Sequence, residues 1–218
     1  MKINRHGKAR ALLPAELDAL IEAAPSPQHR ALWCVQRWTA ARIGEALALR
    51  WGDLAAGHVT FRRSTTKTKT TRQLPQSDAL RTELEAWHAS WATTQGREPK
   101  AADHVFPSRF GPAEPMTRQA ADAALRGAAE RAGLAGTSTH SWRRSLAQAA
   151  VEAGADLRSV QAVTGHASLA SLGQYLDPDP AQVLAVLAGV WSPQPEPSGA
   201  AVTVESPQQM PAVVSPQQ

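Results

Sequence analysis

A mainly α-helical domain carrying one small antiparallel β-hairpin, an α+β fold, is what the sequence predicts. Three observations carry that expectation. Apolar residues recur at three- and four-residue spacing through most of the stretch from 13 to 190, the period of a helix with one buried face. Residues 58–62 and 71–74 instead alternate as strands do, flanking a polar Thr/Lys turn. Helix punctuation is legible too: Pro14 suits a first turn, Thr117 an N-cap and Gly133 a stop.

Taken in order, the first helix opens at Leu13-Pro14 and runs to about Ile21. A second covers residues 28–40, with Leu32, Val35 and Trp38 at core-like spacing, and a third covers 43–49. The hairpin follows. Residues 77–93 form a long helix with Leu80, Leu84, Trp87 and Trp91 on one side. A Gly/Pro-rich connector spans 96–115 and a helix 117–133. Short helices are expected over 140–153, 157–164 and 169–175, and an apolar one over 181–190. Six prolines fall in residues 192–218 among Gln, Ser and Ala, a composition that predicts a disordered tail. The expected division is an N-terminal extension 1–12, a domain 13–191 and the tail 192–218.

Composition narrows the chemistry. The 218 residues suffice for one good core and a small appendage. No apolar run reaches the ~20 residues of a membrane span, and Met1 to His6 lacks the apolar stretch of a signal peptide. With Cys34 as the one cysteine, no intrachain disulfide forms, and a bacterial-type cytosol is the expected compartment. Cys34 falls in an apolar helical pattern, the setting of a buried, inert thiol. No GxGxxG or GxxxxGK loop, CxxC pair or His/Cys cluster is present, so the sequence predicts neither cofactor nor metal. The net charge is +4, but Arg62, Arg63, Lys67, Lys69 and Arg72 crowd the hairpin with no acid among them. Arg143 and Arg144 make a second basic point. Clustered cations of this kind suit a phosphate-backbone partner, with Arg62, Arg63, Lys69, Arg72 and Arg144 as candidate contacts.

Tyr175 is the sole tyrosine. A phenol can attack as a nucleophile and form an ester intermediate, given a base or a positive field. Around it the sequence offers Arg42 at a helix start, Lys67 on the hairpin, His140 and Arg143 three residues apart, and His166 after Gly165. Guanidinium forks match phosphate oxygens and stay charged, a lysine can protonate a leaving sugar oxygen, and a histidine can accept the phenol proton. Those are the groups that metal-free phosphoryl transfer to a tyrosine requires.

These residues resemble the tyrosine recombinase, or phage integrase, family over roughly residues 13–190. Thr39-Ala40-Ala41-Arg42-Ile43-Gly44-Glu45 is similar to its first arginine box, with Ala40 where glycine is usual. Lys67, eight residues before Pro75, matches its hairpin lysine. His140-Ser141-Trp142-Arg143-Arg144 resembles the HxxR box, with Trp142 where leucine is common. Gly165-His166 with Tyr175 nine residues on resembles the final box. The resemblance is to short, catalytic-domain-only members, such as bacterial DNA invertases. It implies the family's catalytic-domain fold and site-specific DNA strand exchange through a 3′-phosphotyrosine. It implies Arg42, Arg143 and His166 on the non-bridging oxygens, Lys67 as general acid and His140 as base, with Glu45 orienting Arg42 or supporting the fold. It also implies a homo-tetramer on DNA, a monomer or weak oligomer when free, with accessory DNA-binding proteins possible and the 181–190 helix docking into a neighbour. The alternatives are a regulator or mobile-element remnant that binds DNA without cutting it, and a nickase like the type IB topoisomerases.

Overall fold

A computed structural model describes residues 9–176 and, in a separate C-terminal unit spanning Pro178–Gln218, residues 183–184 and 186–188. The helices are α1 (Pro14–Glu22), α2 (Pro27–Thr39), α3 (Ile43–Leu47), α4 (Asp78–Gln95), α5 (Arg118–Arg131), α6 (Ser141–Glu152), α7 (Leu157–Thr164) and α8 (Leu169–Gly173). A 3₁₀ turn follows α3 at Trp51–Leu54. Strands β1 (His58–Phe61) and β2 (Arg72–Pro75) form one antiparallel pair, and β3 (Pro107–Ser108) and β4 (Gly111–Pro115) a second. The mainly helical α+β fold is therefore as the sequence predicts.

Helix α2 is the centre of the core, packing against α1, α3, α4 and α6. Its start is set by Pro27 in the first turn and by Ser26, whose hydroxyl accepts from the His29 amide at 3.4 Å. Leu32, Trp33, Cys34 and Val35 are all buried, and Trp33 stacks on Trp142 of α6 with centroids 6.2 Å apart. Burial pushes the Cys34 thiol up to about 12, so it stays protonated and inert as expected. Trp38 departs from expectation: it is 41% exposed while Gln36 and Thr39 are buried. Six residues beyond Leu32, it lies about 240° round the helix and leaves the buried stripe.

The long helix α4 buries Leu80, Leu84, Trp87 and Trp91, the face its periodicity predicts. Both indoles are satisfied: Trp87 Nε1 donates to the Val105 carbonyl at 2.8 Å and Trp91 Nε1 to that of His104 at 3.3 Å. Burying a tryptophan removes 150–250 Å² from water, roughly 4–6 kcal/mol at about 25 cal/mol per Å² before conformational entropy.

Three expectations need revision. The stretch 43–49 is helical only to Leu47, and the 3₁₀ turn begins at Trp51, after a break at 48–50. The connector 96–115 contains β3 and β4, and Arg50 bridges to His104 beside them. A two-residue strand beginning at a proline carries no alternation to read, so tertiary pairing alone creates it. Helix α8 ends at Gly173, which leaves Tyr175 just beyond its last turn, its amide donating to the Leu172 carbonyl at 2.8 Å. Of the apolar helix expected over 181–190, residues 183–184 and 186–188 are helical, with Val183, Leu184, Val186 and Leu187 exposed. Its remainder, the tail 192–218 and most of the extension 1–12 lie outside the described residues. Among the described residues no helix is long and apolar enough to cross a membrane.

Candidate active site

The site begins at the joint between α2 and α3. Ala40 ends α2 in a left-handed conformation, φ 52°, and is fully buried. A left-handed residue with a Cβ costs about 1–2 kcal/mol, which is why glycine suits this position. The turn points the Ala40 carbonyl inward, where it accepts from Arg143 Nη1 at 2.8 Å. Arg42 then caps α3. Its amide and its Nη1 both donate to Glu45, at 3.1 and 2.7 Å. Glu45, 3% exposed, is thus fixed by the first turn of its own helix and in turn fixes Arg42.

Arg143 and His166 come from different elements. Arg143 lies one turn into α6 and is 1% exposed, and His166 follows α7 at the Gly165 stop. Arg143 Nε donates to His166 Nε2 at 3.3 Å. On the other side of the ring, Nδ1 lies 2.8 Å from Thr164 Oγ1, and that hydroxyl donates to the Val160 carbonyl at 2.7 Å. The hydroxyl hydrogen is thereby committed, so the network assigns the imidazole hydrogen to Nδ1 and a lone pair to Nε2. His166 is then a neutral acceptor that orients Arg143. Donation to a phosphate, the role the resemblance implies, requires a second proton or the other tautomer. Thr164 escaped the sequence reading because no motif marks it. Its place two residues before His166, at the end of a helix, becomes meaningful once the ring contact is seen.

Tyr175 packs beside both histidines. Its ring centroid is 4.6 Å from that of His166, its hydroxyl 3.4 Å from His140 Nδ1, and the Arg143 guanidinium carbon 5.6 Å from its ring. Its apolar edge rests on the small cluster of Ala147, Val160 and Leu172 that holds α6, α7 and α8 together. Five of the six residues predicted for catalysis, Arg42, His140, Arg143, His166 and Tyr175, are therefore gathered in one place. Lys67 is not. It is exposed on the 62–71 loop, with no hydrogen bond or ion pair to the other five among the described residues.

The candidate DNA contacts divide. Arg63 and Lys69 are exposed, and Arg62 is 47% exposed while paired to Asp53 at 2.6 Å. Arg72 and Arg144 are not surface residues. Arg144 is 5% exposed and donates to the Gln174 carbonyl at 2.9 Å, anchoring the segment before Tyr175. The Arg72 side chain is 11% exposed and donates to Glu45 at 3.3 Å and to the Val163 carbonyl at 2.8 Å. Charge clustering along a strand could not tell these directions apart, because the hairpin has one face toward solvent and one toward the site.

Electrostatically the centre is net positive, with Arg42, Arg72 and Arg143 set against the single carboxylate of Glu45. Desolvation, followed by Arg42 and Arg72, lowers the Arg143 pKa to about 10. Desolvation, followed by Arg143, Arg42 and Arg72, lowers that of His166 to about 3. Arg143 Nη2 is buried and has no hydrogen-bond partner among the described residues. Such a donor costs on the order of 1–3 kcal/mol unless an anion meets it. A cavity of about 440 Å³ opens on the hairpin side of His166, bordered by Arg42, Arg72, Thr68 and Arg158. Among the described residues no group of three or more His, Cys, Asp or Glu is gathered as for a metal ion.

The sequence profile of the phage integrase family matches residues 10–182. Tyrosine recombinase XerC of Roseiflexus sp. (strain RS-1) is 32% identical over 173 residues, covering 76% of this chain and 54% of that protein. XerC of Rhodospirillum centenum (strain ATCC 51521 / SW) is 32% identical over 196 residues, covering 82% and 54%. Among solved structures, the XerA recombinase aligns with a TM-score of 0.70 at 20% identity, over 87% of this chain and 68% of that one. The XerH site-specific recombinase in a pre-cleavage complex with its difH substrate aligns at 0.67 and 24% identity, over 87% and 56%. At such identities the structural likeness speaks to the fold. The chain spans about half the length of the curated relatives it matches.

Proposed function

The chain belongs to the phage integrase family, and on that premise we propose that it cuts and rejoins DNA strands at specific sites through a covalent phosphotyrosine. The observation that carries this reading is the buried, partnerless Nη2 of Arg143, set in a positive field beside the Tyr175 ring. A phosphodiester is the anion that such a donor and such a neighbour have in common. Tyr175 Oη attacks the phosphorus while His140, 3.4 Å away, takes its proton. The 3′-phosphate becomes esterified to tyrosine, and the 5′-oxygen leaves with a proton from Lys67 after the hairpin loop has moved toward the site. Arg42 and Arg143 hold the non-bridging oxygens, and His166 keeps Arg143 turned toward them until the phosphate's charge favours its own protonation. A free 5′-hydroxyl reverses the step. One ester replaces another, so the exchange draws on no external energy.

The partner is double-stranded DNA, as the exposed Arg63 and Lys69 and the substrate-bound XerH structure support; a homo-tetramer as the working assembly follows from the family resemblance. The exposed position of Lys67 favours one other reading, a protein that binds DNA and leaves it intact. A pool of nicked suicide duplexes with randomised arms separates the two. Wild type should become covalently attached to DNA and Tyr175→Phe should not. Absence of an adduct with wild type, or its persistence in Tyr175→Phe, would falsify the cutting reaction.

A further inference from the structure

The third guanidinium at the site belongs to none of the boxes that define it. Arg72 is delivered by the β1–β2 register, which sets it opposite Phe61, and its Cζ lies 4.5 Å from that ring. With its flat face on Phe61, its fork spans two elements: Nη2 reaches Glu45 Oε2 on α3 and Nη1 the Val163 carbonyl in the last turn of α7. The second Glu45 oxygen carries Arg42. Gly165 closes the arrangement. Its φ is +65°, and a Cβ there would stand 2.8 Å from Arg72 Nη1 and 3.4 Å from Cδ, so the turn that presents His166 lies directly on this guanidinium. Gly165 is thus required twice, by its backbone conformation and by its contact with Arg72.

We propose that Arg72 is a positioning residue for strand cleavage: by tying Glu45 to the end of α7, it fixes the separation between Arg42 and the turn bearing His166. The inference rests on the proposed function for its catalytic consequence, but its structural content does not. Lysine cannot replace it, because a single ammonium on a flexible stem cannot stack on Phe61 and serve two acceptors in one plane. Misplacement by about 1 Å far from the reacting atoms costs on the order of 10²-fold in rate.

The experiment uses the full chain, the randomised suicide duplexes and two variants, Arg72→Lys and Arg72→Met. The single-turnover adduct rate at saturating DNA should fall about 10–100-fold in both. The Kd for the intact duplex pool should stay within about twofold of wild type, because Arg72 is not a surface cation. Amide hydrogen exchange over residues 163–167 should accelerate at least about tenfold, while that of α2 is unchanged. Gly165→Ala should slow wild type more than it slows Arg72→Met, where only the cost of the left-handed backbone remains. Arg72→Lys with wild-type rate and wild-type exchange overturns the proposal. Acceleration of exchange in α2 as well overturns it in favour of general destabilisation. Should wild type form no adduct, cleavage as the function fails alone, and the exchange measurement still decides whether Arg72 holds the turn.

Discussion

Arg143 is held on two sides and open on a third: the Ala40 carbonyl and His166 take Nη1 and Nε, and Nη2 is left for a ligand. That arrangement explains why lysine should not serve here. Arg143→Lys removes the fork while keeping a charge, and adduct formation is expected to fall by 10²-fold or more, about 3 kcal/mol, with duplex affinity far less affected; quench-flow with the suicide pool reads this. The buried His166 gives a pH signature. Its pKa is about 3 in the folded chain against a usual 6.5. Between those values the unfolded chain binds the additional proton, so this contribution to stability is complete above about pH 6.5 and shrinks as pH falls toward 3. Desolvation of His29 and His104 acts in the same direction. His166→Gln should therefore flatten the decline of stability between pH 6.5 and 5, by no more than one proton's worth, about 1.4 kcal/mol per pH unit in urea titrations.

At the scale of elements, the joint between α2 and α3 is a small strain site. Ala40→Gly relieves a left-handed alanine worth about 1–2 kcal/mol, loses a buried methyl worth about 0.8, and loosens the unfolded chain by about 0.4–1. These offset, and stability should stay within about 0.5 kcal/mol of wild type. Ala46→Gly, fully buried inside α3, has no such relief and should cost about 1.5–2 kcal/mol. Equal losses from the two substitutions in chemical denaturation would contradict this account of the joint. Helix α4 is anchored differently, through Trp91, whose truncation to alanine should cost about 3–5 kcal/mol because a buried cavity and a lost indole donor add.

For the molecule as a whole, exposed and inward cations should separate by salt. Arg63→Gln and Lys69→Gln are each expected to reduce the slope of log K against log salt by about 1 in duplex titrations, since each removes one phosphate contact. Arg144→Gln should leave that slope unchanged and lower the unfolding midpoint instead, because its guanidinium holds the Gln174 carbonyl rather than facing solvent. Unchanged slopes for Arg63 and Lys69 would mean that the hairpin does not lie on DNA.

The helices, two of their starts and the identity of five assembled site residues were legible because each is written locally: period 3.6 for the buried faces of α2 and α4, Pro14 and Thr117 for helix starts, and ordered motifs for Arg42, His140, Arg143, His166 and Tyr175. The strands β3 and β4, the exposure of Trp38 and the inward turn of Arg72 and Arg144 were not legible. Each depends on what stands opposite, and hydrophobic period and charge order in one chain segment do not encode its neighbours. By itself the sequence determined which reactive groups exist and in which elements they ride. The tertiary structure alone decided that Arg72 meets Glu45 while Arg63 and Lys69 of the same hairpin meet solvent. It did so because burying a guanidinium is tolerable only where a carboxylate and a helix-end carbonyl already wait for it.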